Sequence, residues 1–213
     1  MSDPAHSTER FKPPPPQDNL NRAIQLAYDV LAEQTPEQLA WLGAEVTGGV
    51  WRLPVLNDTF EVDVTRRQTV TASGADVQPA WKILVLHYLA VTDRPEDRAA
   101  NTTFADLANA RSYAGIYQGR VIARLCATAG RNAETLHAAA ESLDGHPIEQ
   151  GDLGFDFRPL PRVTLRLVWH APDEEFPPSA TVLLPDNIES YLCSEDIVVL
   201  SEQLVARLGG RPF

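Results

Sequence analysis

Residues 163–170, VTLRLVWH, carry the clearest secondary-structure signal in the chain. One set of alternate positions holds valine, leucine and tryptophan, while the other set mixes threonine, arginine, valine and histidine. A period of two residues is typical of a half-buried β-strand. We expect the strand to extend back to residue 155, interrupted by Pro159 and Pro161, and to pair with residues 181–184 as a hairpin.

A second strand region lies nearer the start of the chain. Apolar and polar residues alternate over residues 60–65, and an apolar run over residues 51–56 precedes them. The polar residues 57–59 between the two runs predict a turn, so the runs should form a hairpin. Pro54 lacks a backbone N–H, which places the first of these strands at a sheet edge.

Apolar residues at helical spacing predict the remaining elements. Asp18 or Asn19 is expected to cap the first helix, Thr35 the second and Ser194 the last. The apolar stripe that begins at Trp81 should face the core. The predicted ranges are roughly 20–33, 36–42, 79–91, 111–128, 132–143 and 194–208.

The order of these elements predicts the fold class. Strands and helices do not alternate regularly, and no glycine fingerprint for a nucleotide occurs, which disfavours a doubly wound parallel sheet. We therefore expect an α+β fold, in which antiparallel hairpins pack with segregated helices. Residues 1–17, which contain the run Pro13–Pro16, should form a flexible leader, and residues 18–213 a single domain.

Composition excludes several classes of protein. The chain has 213 residues, a formal charge of −11 and two cysteines, too few for a disulfide framework or a cysteine-ligated metal centre. The acidic balance argues against nucleic acid or an anionic membrane as partner, whereas a protein partner stays open. A cytoplasmic location follows, because no targeting or membrane-spanning segment occurs. Residues 81–170 are neutral, with ten acids and ten bases, so an anion could dock there.

The predicted helix 111–128 has two unusual flanks. Gly115, Gly119 and Ala123 recur every four residues and leave one flank almost bare. Each glycine inside a helix costs about 1 kcal/mol relative to alanine, so a second surface should approach closely. Another helix or sheet would satisfy this need, and so would a flat ligand.

The opposite flank carries tyrosine and arginine. At 100° per residue, Tyr113, Tyr117, Arg120 and Arg124 fall within about 60° of one another, and Arg111 stands at the helix start. Guanidinium and phenol groups bind carboxylate or phosphate well because their hydrogen bonds to such groups are charge-assisted. The alternative is that this flank pairs with carboxylates of the chain itself.

A second candidate site follows the strand of residues 163–170. His170 ends this strand, and Asp173, Glu174 and Glu175 follow closely. An imidazole beside carboxylates could act as a general base or help to hold a metal ion, which would suit metal-assisted hydrolysis. The same acids before two prolines also fit a solvated hairpin loop.

Recognised catalytic motifs are absent from the sequence, including G-x-S-x-G, HExxH, the P-loop and CxxC. The leading hypothesis is therefore a non-enzymatic binding or accessory protein for a small, anionic ligand or cofactor. A planar cofactor such as a tetrapyrrole is a narrower version of it, and the sequence identifies no particular cofactor. An enzyme that uses His170 with the three acids is the alternative.

Four stretches resemble a prokaryotic family, the domain of unknown function 3786. The most specific is DEEFPPSA, followed at a suitable distance by Asp186, and the resemblance extends from about residue 20 to the end of the sequence. It implies a soluble domain that is common in anaerobes and is sometimes fused to a cysteine-rich iron–sulfur module. This chain departs from that pattern because it has no cysteine cluster. The resemblance transfers no catalytic residues. The matching stretches are residues 81–88, 111–113, 155–161 and 173–180.

Overall fold

A computed structural model describes residues 16–96 and 100–213 of the chain. Most of the predicted leader, residues 1–15, lies outside the described residues. Its last two residues belong to the first helix, α1 (Pro16–Leu31). Proline is tolerated in the first turn of a helix, so α1 includes Pro16, and the predicted caps Asp18 and Asn19 lie inside the helix instead.

The first sheet is an antiparallel meander in which each strand pairs with the next. The predicted hairpin is confirmed, because Leu53 pairs with Phe60. The predicted edge position of Pro54 is wrong, since its strand lies between two others. The outer strand pairs only as far as Arg52, so Pro54 has no described partner on that side and its missing N–H costs no hydrogen bond there. The strands are β1 (Glu45–Thr47), β2 (Val50–Val55), β3 (Asp58–Asp63) and β4 (Gln68–Thr71).

The second sheet has the strand order β5-β9-β8-β7-β6 and is also antiparallel. The predicted pairing across its centre is confirmed, because Arg166 pairs with Leu183. The strand expected from residue 155 is instead two strands that turn at Pro161, and their register shifts between Phe157 and Leu160, around Pro159. The strands are β5 (Asn101–Thr103), β6 (His146–Pro147), β7 (Leu153–Leu160), β8 (Val163–His170) and β9 (Ser179–Pro185).

The predicted helices are present, with different ends. Thr35 caps the second helix as expected, because its Oγ1 accepts a hydrogen bond of 3.2 Å from the N–H of Gln38. The cap of the last helix is Cys193, and Ser194 is its first helical residue. After α1, the helices are α2 (Pro36–Trp41), α3 (Pro79–Leu89), α4 (Ala114–Tyr117), α5 (Arg124–Ala127), α6 (Ala133–Ser142) and α7 (Ser194–Leu208).

The predicted regular helix over residues 111–128 is wrong in detail. A 3-10 turn, Arg111–Tyr113, leads into α4, and a π-helical stretch, Gln118–Ala123, joins α4 to α5. A π-helix closes its hydrogen bonds over five residues, one more than an α-helix. Side chains on the two sides of this stretch are therefore rotated relative to a regular helix.

Helix α3 is at the centre of one hydrophobic core that spans both sheets. Trp81, Leu84, Leu86 and Tyr88 are fully buried, so the helix is enclosed on all sides and has no single core-facing stripe. Both α1 and α7 pack against it. Within the described residues, no helix combines the length and apolar character that crossing a membrane requires.

Gly43 brings α2 close to the turn between β7 and β8. Its φ is 87°, and a Cβ at this position would lie 2.6 Å from the Cβ of Pro161. Only glycine meets both requirements, the left-handed backbone and the close approach. The two sheets and the surrounding helices thus form the expected α+β fold.

Candidate functional site

The four residues of the predicted tyrosine and arginine flank do not form one open surface. Tyr117 is buried, donates a 3.0 Å hydrogen bond to Ser201 of α7, and stacks on Phe104 with ring centroids 4.3 Å apart. Burial raises the pKa of Tyr117, which therefore stays neutral. This side chain holds α7 in place and does not face solvent.

Arg120 is also engaged by α7. Its Nε donates to Glu202 at 2.8 Å and its Nη1 to Glu195 at 3.2 Å, and a second bond to Glu202 makes that contact bidentate. The hydrogen bonds to Glu202 raise the pKa of Arg120. An outside anion would have to displace two carboxylates from this guanidinium, so Arg120 is a poor anion ligand.

The start of the predicted flank and its bare side both face solvent. Arg111 and Tyr113 are exposed. A Cβ built on Gly115 or Gly119 would meet nothing within 4 Å, and Ala123 is exposed beside them. Within the described residues, no helix or sheet packs against this flank, so the expected second surface is not present there.

The loop after His170 is exposed over residues 171–177. The Nδ1 of His170 lies 3.8 Å from Asp152, and not against the acids that follow. Asp173 accepts 2.8 Å hydrogen bonds from the backbone N–H groups of Glu175 and Phe176, which lower its pKa. This is the geometry of a solvated turn.

Metal ligands do not converge at this loop. Among the described residues, no group of three or more histidine, cysteine, aspartate or glutamate side chains is placed to hold a metal ion. Glu174 and Glu175 are exposed, and Glu175 contributes its backbone N–H to the turn. The arrangement needed for metal-assisted hydrolysis is therefore not assembled in this part of the structure.

The surroundings of the two cysteines and of His87 indicate structural roles. The Nδ1 of His87 lies 2.9 Å from a carboxylate oxygen of Asp196, so this histidine has a partner within the fold. The Sγ of Cys193 is 3.2 Å from the same carboxylate. Partial burial raises the pKa of the thiols of Cys126 and Cys193, so neither is an activated nucleophile at neutral pH.

Arg124 and Arg211 both line a pocket of about 350 Å³. We call this pocket the Arg124–Arg211 pocket. Its walls come from α1, α3, α5, α7 and the segment that follows α7. Neither guanidinium forms an ion pair with a residue in the described part of the chain. The lining of this pocket also includes Gln78, Pro79, Gln203 and Pro212.

The first turn of α3 forms one wall of this pocket. Pro79 is the first helical residue and has no N–H, and the preceding Gln78 makes no side-chain cap. Among the described residues, no side chain therefore caps the backbone N–H groups at the start of this helix. Because the helix dipole is positive at this end, the wall favours negative charge.

The segment after α7 positions the second arginine. Phe213 is buried against Phe60 and Trp81, with ring centroids 5.0 and 5.3 Å away, and the guanidinium of Arg207 lies 4.0 Å above its ring. This anchoring fixes Arg211, two residues earlier, at the mouth of the pocket. Arg211 is thus presented on a segment tied to the core.

Other pockets differ in charge. One of about 240 Å³ beside Tyr117 has no charged lining residue. Another of about 310 Å³ combines Arg158 with Asp144 and Asp156, and a third of about 380 Å³ combines an arginine with two glutamates. The lining of the Arg124–Arg211 pocket holds two arginines and no carboxylate among the described residues.

Sequence reasoning identified one residue of this pocket, Arg124, and missed Arg211, Gln78 and Gln203. The residues 171–213 contain only two bases, Arg207 and Arg211, in an otherwise acidic segment, and this contrast is the one signal that pointed to Arg211. The pocket itself depends on segments far apart in sequence, and local patterns carry no information about their meeting.

Comparison with protein families gives a match over most of the chain. The family model for Domain of unknown function (DUF3786) matches residues 35–207, which is most of the chain and includes Arg124 and Gln203. Neither a curated protein nor a solved structure matches the chain significantly.

Proposed function

The chain belongs to the family Domain of unknown function (DUF3786), and we propose that it is a non-enzymatic binding protein for a small organic anion. The ligand would occupy the Arg124–Arg211 pocket. The observation that carries the proposal is that two guanidinium groups, neither of which forms an ion pair with a described residue, line one pocket, and no described residue contributes a carboxylate to it.

The net charge strengthens this argument. In a chain of charge −11, an arginine is readily matched by the protein's own acids, as Arg120 is by Glu202. Two arginines that pair with none of the described acids retain their capacity for charge-assisted hydrogen bonds, which a bound carboxylate or phosphate would use. A pocket of about 350 Å³ is at the small end of the range for ligand sites.

The lining also favours binding over catalysis. Arginine, glutamine, proline, alanine and leucine form the walls. Histidine, cysteine, serine and the carboxylates, which are the usual general bases and nucleophiles, do not occur in this lining among the described residues. Such a pocket can hold and orient an anion, but its own side chains offer no general acid or base for turnover.

Calorimetric titration with inorganic phosphate, citrate and succinate tests the proposal. We expect at least one of these anions to bind, and Arg124→Gln to weaken it about 10-fold or more, because a hydrogen bond to a charged group contributes about 1.5–3 kcal/mol. Arg131→Gln is the matched control, since Arg131 is exposed and lies outside the pocket. Failure of all three anions to bind, or equal binding by Arg124→Gln, would contradict the proposal.

We also propose that the protein is cytoplasmic and prokaryotic. The acidic composition and the two free cysteines support a reducing compartment, and the resemblance of the sequence to a prokaryotic family supports the source. The strong negative charge supports the absence of nucleic acid and of anionic membranes among its partners.

A further inference from the structure

We infer that the anion is the phosphate monoester of a small aliphatic molecule, an inference that rests on the proposed function. The Arg124–Arg211 pocket is matched to such a ligand in charge, in size and in the character of its walls.

Charge favours a dianion. Arg124 and Arg211 together bring two positive charges, and the uncapped start of α3 at Pro79 and Ala80 adds the positive end of a helix dipole. A phosphate monoester carries a charge of about −1.5 to −2 at pH 7, whereas a monocarboxylate carries −1. Phosphate also has three oxygens for donors that approach from different walls, which suits two guanidinium forks and the backbone N–H groups of a helix start.

Size and wall chemistry indicate an organic body. A pocket of about 350 Å³ leaves room beyond a phosphate group, and Leu20, Ala206 and Pro212 line it with apolar surface. The amides of Gln78 and Gln203 offer donors and acceptors for hydroxyl groups. The body of the ligand is therefore aliphatic and hydroxyl-bearing.

A planar body fits less well. Flat ligands such as nucleobases are usually held by stacking on aromatic side chains. No aromatic side chain lines this pocket among the described residues. The lining therefore argues against the planar cofactor that the sequence left open.

Calorimetry at pH 7.5 with four probes tests the ligand class: glycerol 3-phosphate, inorganic phosphate, succinate and adenosine 5′-monophosphate. We expect glycerol 3-phosphate to bind at least 10-fold more tightly than succinate and more tightly than the other two probes. Arg211→Gln should weaken its binding about 10-fold or more, and Gln203→Ala by a smaller factor. Arg131→Gln, outside the pocket, should leave it unchanged, and circular dichroism verifies that each variant is folded.

The pH provides an independent readout. The second pKa of a phosphate monoester is about 6, so at pH 5 the ligand is mainly a monoanion. The described lining holds no histidine, aspartate or glutamate, the residue types that would change its charge in this pH range. Binding of glycerol 3-phosphate should therefore weaken several-fold at pH 5, even if the Arg211→Gln variant is unfolded and uninformative.

The outcomes separate this inference from the proposed function. Succinate that binds as tightly as glycerol 3-phosphate, or binding that does not change with pH, overturns the phosphate assignment and leaves an anion-binding protein. Tighter binding of adenosine 5′-monophosphate overturns the aliphatic body. If no anion binds, the proposed function fails and this inference fails with it.

Discussion

Arg120 and Arg124 lie four residues apart, yet their surroundings are opposite. Arg120 donates to Glu202 and Glu195 of α7, whereas Arg124 lines a pocket with Arg211 and no described carboxylate. The same residue type, one turn along the chain, is paired internally in one region and forms no ion pair with a described residue in the other. In an acidic protein, an arginine is available to an outside anion only where the protein's own acids do not reach it.

The difference originates in two neighbouring positions of α7. Glu202 faces Arg120, and the next residue, Gln203, lines the pocket that holds Arg124. An amide and a carboxylate have nearly the same shape, but only the carboxylate neutralises an arginine. The choice of glutamine at position 203 therefore keeps the pocket positive.

Gln203→Glu should have the largest effect on anion binding. It places a carboxylate in the Arg124–Arg211 pocket, as Glu202 places one against Arg120. The new carboxylate would pair with Arg124 or repel an incoming anion, and we expect anion affinity to fall about 100-fold. Calorimetry with the tightest-binding anion measures it. Gln118→Glu is a matched control outside the pocket, and an unchanged affinity in Gln203→Glu would remove the distinction between the two regions.

Arg120→Gln should affect stability and leave binding alone. Glu202 is only 16% exposed, so loss of its partner leaves a poorly hydrated carboxylate, and we expect unfolding to become easier by about 1–2 kcal/mol. Urea denaturation measures the change. Arg52→Gln is the control, because its pair with Glu61 is more exposed and should contribute less than about 1 kcal/mol.

The Arg120→Gln variant also tests whether the tyrosine and arginine flank of the helix binds the anion. If Arg120→Gln abolished anion binding with stability unchanged, the tyrosine and arginine flank would be the binding surface after all. The double variant Arg120→Gln with Glu202→Gln should recover part of the lost stability, since it leaves no unpaired buried charge.

Gly115→Ala should give the smallest effect, and it tests whether the bare flank is free. A Cβ here meets nothing within 4 Å, so alanine should stabilise the helix by about 0.5–1 kcal/mol. Gly130→Ala is the contrasting variant, because its Cβ would lie 3.1 Å from a backbone oxygen and 3.3 Å from Trp169. Thermal unfolding compares the two, and a loss of stability in Gly115→Ala would show that another surface covers this flank.

Much of the fold could be predicted from the sequence because apolar and polar residues alternate along half-buried strands. The pairing of β8 with β9 and of β2 with β3 follows from that alternation and from the polar turn between β2 and β3. Helix α3 lies where the sequence predicts it, but the stripe that includes Trp81 does not by itself indicate enclosure; the signal for enclosure is that Ile83 and Leu86 make the opposite side apolar as well.

The site was harder to predict, for two physical reasons. The projection that grouped Tyr117, Arg120 and Arg124 assumes 100° per residue, and the π-helical stretch Gln118–Ala123 breaks that assumption. The pocket also needs Arg211 to be fixed by the burial of Phe213, a tertiary contact that no local pattern announces.

The number of residues in the π-helical stretch determines which side chain of the following turn reaches the pocket. Removing one residue from Gln118–Ala123 would restore α-helical bonding and turn everything after it by about 100° relative to Arg120. A family member one residue shorter here would present a different side chain in place of Arg124. The length of this short segment thus determines which side chain of the following helical turn lines the pocket.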